Sequence, residues 1–144
     1  MQHQTKTTML QNLARLTLGT FMITAGTGHL TFARREFQAQ VPDFVPLDKD
    51  TTVLLSGVAE IGLGLALLLW KRERALLGLG LGAFYVAVFP GNVHQYTHRI
   101  DAFGLDSDEK RLARLFFQPV LVAWALWSTG ALKALWQSRK QKVN

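Results

Sequence analysis

The sequence contains no cysteine, so the chain cannot itself carry out thiol–disulfide chemistry, hold an iron–sulfur cluster or build a cysteine-based zinc site. Charge is also sparse. Charged residues make up 18% of the chain, against roughly 25% in a typical soluble domain, and acids are outnumbered by Lys and Arg, 10 to 16. There is no P-loop, no repeat array and no low-complexity tail. No A-x-A-like site follows the first apolar stretch, which is itself longer than a signal-peptide core, so a retained span is expected there instead of a removed leader. With 144 residues the chain is expected to form one domain, 1–144, and not two.

What is abundant is apolar sequence: 49% of residues are hydrophobic. They gather into four stretches, at about 10–32, 53–70, 75–96 and 115–136, each near the roughly 20 residues a helix needs to cross about 30 Å of hydrocarbon. A water-exposed helix keeps a polar face, yet Leu63–Trp70 and Leu76–Phe89 carry no charge at all. The pattern predicts an all-α fold, an integral membrane four-helix bundle, with the lipid bilayer as its partner. Four spans place Lys6, the Lys71–Arg74 turn and the tail Arg139, Lys140 and Lys142 on one side, with Arg15 and Lys133 snorkelling toward it. The slight excess of Lys and Arg there predicts cytoplasmic termini in a bacterial inner membrane. The basic tail is then a headgroup anchor and not a nucleic-acid site. Gly57, Gly62, Gly64, Gly78, Gly80 and Gly82 suit close helix packing, with a dimer seam as the rarer reading.

Several polar residues are out of place in such spans. Glu60 lies roughly 10 Å from the start of its stretch at about 1.5 Å per residue, on one face with Ser56, Gly57 and Gly64. A carboxylate there is expected to be protonated, paired or facing water, either as a hydrogen-bonded lock between helices or as a proton-handling group. His29 ends the first stretch. Asn92 and His94 follow Pro90-Gly91, where a kink or local unwinding is expected, and Arg114 and Gln118 open the fourth. These six residues are expected to converge in one half of the bundle as a ligand-binding set, with Glu60 the candidate proton-handling group. Each has a plainer reading: His29 as an interfacial residue, Arg114 as a headgroup anchor. His94 and His98 are four apart but lack an H-E-x-x-H setting, and no metal is assigned.

Assembled, these residues resemble the DoxX-like family of small four-span bacterial membrane proteins. The resemblance rests on Thr24–Phe32, Phe37 and Val41-Pro42; on Leu55–Gly64, with its Ser-Gly-x-x-Glu; on Val88–His94, with its Pro-x-Asn-x-His; and on Arg114–Pro119 with Trp124–Trp127. It runs from about Arg15 to Trp136 and departs at the longer acidic segment Asp101–Glu109. The resemblance implies a redox-associated accessory subunit, with a partner oxidoreductase or other membrane protein supplying electrons. A quinone-like or amphipathic molecule would sit among His29, Glu60, Asn92, His94, Arg114 and Gln118. The alternative is a non-enzymatic assembly factor or interaction subunit. Homo-oligomer formation and enzymatic activity stay open on the sequence.

Overall fold

The structure, a computed structural model, describes residues 5–143. Among them are six helices: α1 (Met9–Leu30), α2 (Arg34–Gln40), α3 (Lys49–Leu69), α4 (Arg74–Thr97), α5 (Asp108–Ser128) and α6 (Ala131–Val143). Their starts are written locally. Thr8 and Gln11 form a reciprocal capping box at α1, the Asp48 carboxylate accepts from the Thr51 N–H at 2.9 Å, and the Ser107 hydroxyl accepts from the Lys110 N–H at 3.3 Å. Between α5 and α6, Gly130 takes a φ of 77°, a left-handed geometry that favours glycine, and the chain turns there by 70°.

This architecture corrects the expectation of a four-span membrane bundle. Two of the helices, α3 and α4, are long and apolar enough to cross a membrane, or three if bent α5 and α6 count as one span. Helix α1 has the length but not the apolarity, since Arg15, Gln11, Asn12 and the threonines at 17, 20, 24 and 27 dilute it. The last apolar stretch is divided at Thr129-Gly130, and α2 lies between the first two apolar stretches. Without four spans, the reasoning that made the bilayer the partner and set both termini in the cytoplasm of an inner-membrane protein loses its premise, and those assignments are withdrawn. The expected unwinding at Pro90 is also not seen: α4 runs unbroken through it.

Helix α1 lies along α3 and α4 along α5, with α1 also meeting α5. The core between them is Leu18, Met22, Leu67, Leu81, Tyr85, Leu121 and Ala125. Polar bonds cross it. The indole of Trp124 donates to the Ala14 carbonyl at 2.9 Å, the Tyr85 hydroxyl donates to the Met22 sulfur at 2.8 Å, and the Gln118 amide donates to the Tyr85 carbonyl at 2.7 Å. Such bonds fix the rotation of each helix, because a slip would leave a buried donor unpaired. Outward-facing Leu55, Val58, Leu76, Val86, Phe116 and Val120 are each more than half exposed, and those on α3 and α4 raise the apolarity of those two helices.

Glycine sets how closely α1 and α3 approach. A Cβ on Gly26 would stand 2.6 Å from the Gly57 carbonyl oxygen, one on Gly57 2.7 Å from the His29 Cβ, and one on Gly64 2.8 Å from the Gly19 carbonyl oxygen. Gly19 and Gly26, and Gly57 and Gly64, are seven apart, two turns along one face of each helix. This contact brings the ring of His29 against the side of α3 that carries Glu60.

Candidate functional site

Helix α2 and the loop after α4 roof one end of the bundle. Arg34 and Gln38 bind Asp50 at the start of α3 (Arg34 Nε to Asp50 Oδ1, 2.6 Å), which ties α2 down. The loop is organised by Arg111, buried and bonded to Asp101, to Asp108 at 3.0 Å and to the Ile100 carbonyl at 3.1 Å. Gln95 donates to the carbonyls of Ile100 and Ala102, both at 3.2 Å. Phe103 has a φ of 56°, an uncommon geometry for a bulky side chain. Its N–H donates to the Glu36 carboxylate at 2.9 Å, and its ring meets the edge of Phe37 at 4.6 Å. The acidic segment Asp101–Glu109 is therefore the frame that holds Phe103 over the bundle.

Beneath this roof is a cavity of about 290 Å³ lined by Phe21, Met22, Ala25, Val88, Leu121, Phe37, Phe103 and Leu105, with Glu60, Arg114, Gln118, Tyr85 and Gln40 as its polar members. Glu60 is the focus. Its Oε2 lies 3.4 Å from His29 Nε2, outside hydrogen-bond geometry, and is buried without a hydrogen-bond partner. The His29 ring stacks on Phe37 with centroids 3.4 Å apart, and its Nδ1 lies 3.2 Å from the Val53 carbonyl oxygen. A carbonyl accepts only, so Nδ1 carries the proton and Nε2 presents its lone pair to Glu60.

Burial sets the protonation of this pair. It pushes the Glu60 carboxyl up to about 8, against the opposing pull of nearby Arg114. It brings His29 down to about 4, against the bond to Val53. Near neutral pH the two therefore stand as a carboxylic acid beside a neutral imidazole, not as an ion pair. Arg114 is likewise lowered mainly by burial, with Glu60 raising it. Its Nη1 donates to Gln118 Oε1 at 3.1 Å; that oxygen also accepts from Asn92 at 3.2 Å, and the Gln118 amide nitrogen is engaged by Tyr85. Gln118 is thus held at both its amide oxygen and its nitrogen, and it orients Arg114.

Of the six residues singled out in the sequence, Glu60, Arg114 and Gln118 line the cavity, His29 touches Glu60 from behind, and Asn92 lies one bond further out, holding Gln118. His94 is not among them. It lies with His98, ring centroids 4.1 Å apart, beside a separate depression lined by Asp43, Phe44, Phe89 and Pro90. No group of three or more histidine or acidic side chains placed to hold a metal occurs among the described residues. Sequence reasoning passed over Tyr85, Gln40 and Phe103. Tyr85 falls inside an uncharged apolar run, and Phe103 is placed by a loop conformation that leaves no periodic signal. Arg15 was expected to reach outward; it is buried, bonded to the Leu67 carbonyl.

One family model matches, that of a domain of unknown function (DUF8561), over residues 18–129. No match was found among curated proteins or among solved structures. The family match corrects the resemblance to the DoxX-like family and removes the ground for what it implied: the quinone, the redox-associated membrane subunit and the membrane assembly factor.

Proposed function

We propose, for a chain that belongs to the family of the domain of unknown function DUF8561, that the roofed cavity binds a compact apolar molecule bearing a carboxylate. The observation that carries this reading is that Glu60, whose Oε2 is buried without a hydrogen-bond partner, lines a cavity together with Arg114. A buried polar atom without a partner is unfavourable by about 1–3 kcal/mol, and it is tolerated where a ligand completes it. As a neutral acid, Glu60 offers an O–H. Arg114 offers the counter-charge, with its fork oriented by Gln118. One ligand oxygen takes each donor, and the apolar body rests on Phe21, Met22, Val88, Leu121 and Phe103. The volume stands at the small end of ligand pockets, which favours a short chain or single ring. His29, with its lone pair toward Glu60, receives the acid proton if a ligand calls on Glu60 as an acceptor instead.

Titration calorimetry of the full chain near pH 7 with hexanoate and with 1-hexanol tests this. Hexanoate is expected to bind at least about tenfold more tightly, as a charge-assisted bond to Arg114 implies, and Arg114→Met is expected to erase the difference. Equal binding of acid and alcohol by the wild-type chain, or no binding of either, overturns the reading.

A further inference from the structure

At the far end of α1 from His29, two arginines lie close enough to act on each other. Arg15 is 4% exposed and bonded through one amino group to the Leu67 carbonyl in the last turn of α3; its Nε is buried without a partner. Arg74, the first residue of α4, donates from Nη1 to Thr7 Oγ1 at 3.1 Å and to Asn12 Oδ1 at 2.9 Å, and its Nε too is buried and partnerless. Asn12 is one turn before Arg15 on α1, so both guanidinium groups lie against the same helical face. They repel each other, and burial and that repulsion both lower Arg15. Neither forms an ion pair among the described residues. Glu73, the neighbouring acid in sequence, has an interaction of its own.

Two further features add positive potential. Helix α4 begins here with no side-chain cap, which places the positive end of its dipole beside Arg74. Lys71 and Arg72 stand in the same turn. A buried guanidinium is stable when its charge is met. The Leu67 carbonyl meets the charge of Arg15 in part.

We infer that Arg15, Arg74 and the open first turn of α4 form a binding site for a small oxyanion of the phosphate class. Two planar guanidinium forks beside a helix N-terminus match a tetrahedral anion with several acceptor oxygens. The site shares no residue with the cavity.

The test is the thermal unfolding of the full chain in inorganic phosphate against chloride, at matched pH and ionic strength, with ³¹P line broadening of the phosphate as a second readout. Phosphate is expected to raise the wild-type midpoint saturably. Arg74→Gln is expected to weaken phosphate affinity about tenfold or more, Arg74→Lys to keep part of it, and Arg114→Met to leave the response unchanged. Identical wild-type midpoints in the two salts, with no broadening, overturn the site. So does a folded Arg74→Gln chain that responds as the wild type does. If Arg74→Gln does not fold, Arg74→Lys and the wild-type comparison decide. Loss of hexanoate binding alone would leave this result untouched.

Discussion

Gly57→Ala and Gly26→Ala are each expected to lower the stability of the chain by about 2 kcal/mol, whereas Gly62→Ala and Gly80→Ala raise it by about 0.5–1 kcal/mol. The same added methyl thus acts in opposite directions according to what it meets. At Gly62 and Gly80 it meets nothing within 4 Å, and the remaining effect is the gain in helix propensity of alanine over glycine. At Gly26 it meets the Gly57 carbonyl at 2.6 Å and the Ile61 backbone N at 3.0 Å; at Gly57 it meets the His29 Cβ at 2.7 Å and the Gly26 carbonyl at 2.9 Å. Backbone atoms cannot rotate away as a side-chain tip does, so α1 and α3 must separate, and the overpacking exceeds the propensity gain. The double variant is expected to lose less than the sum of the two, because helices already parted by one methyl meet the second more loosely. Denaturant unfolding of the four single variants and the double checks this. Equal effects at Gly57 and Gly62 would show that the glycine contact does not govern packing. Because the contact also sets His29 against Glu60, Gly57→Ala is expected to weaken hexanoate binding even where the chain stays folded.

The glycines illustrate how much of the architecture could be read in advance. The small-residue face of Gly57 and Gly64 beside Glu60 was legible, since helical spacing alone puts these residues together. Their partners were not, because Gly19 and Gly26 sit in a stretch whose threonines and glycines look alike until a neighbouring helix is placed against them. The helical class was legible from apolar content and length, and the number of membrane-crossing helices was not. Counting apolar residues over a window is blind to a left-handed glycine: Gly130 divides the last stretch into two helices that diverge by 70°. It is equally blind to short α2, whose seven residues are too few for a periodic signal. Proximity of His29, Glu60, Arg114 and Gln118 followed from depth counting along helices, which measures position along an axis. Depth counting carries no rotation, which is why His94, at a similar level, points to a different depression. Arg15 was expected to reach outward, as a long basic side chain near a helix end ordinarily does; here the carbonyl end of α3 draws it in.

Replacing the buried acid by its neutral isostere, Glu60→Gln, is expected to change the shape of the stability profile with pH more than its height. The native carboxyl holds its proton up to about 8, whereas the unfolded chain releases it near 4.5. Between those values the native state binds more protons, so Glu60 makes stability fall as pH rises. His29 acts with the opposite sign over a lower range. Its native value near 4 lies below the unfolded 6.5, the native state binds fewer protons between them, and stability rises with pH there. From about 4.5 to 6.5 the two slopes offset each other, and the wild-type profile is nearly flat. From 6.5 to 8 Glu60 acts alone, and the wild-type chain is expected to lose about 2 kcal/mol. In Glu60→Gln the rise from His29 stands by itself up to 6.5, and no fall follows. Surface carboxylates such as Asp48 and Asp50, held below their ordinary values by hydrogen bonds, titrate in more acidic solution and cancel between the two proteins. Denaturant unfolding at half-unit pH steps distinguishes the cases, and parallel profiles would mean that the carboxyl is not sheltered. The ligand reading is linked to the same proton. Above pH 8 Glu60 ionises, loses the O–H it offers and repels a carboxylate. Hexanoate affinity is therefore expected to fall across that interval in the wild type while holding steady in Glu60→Gln, whose amide still donates.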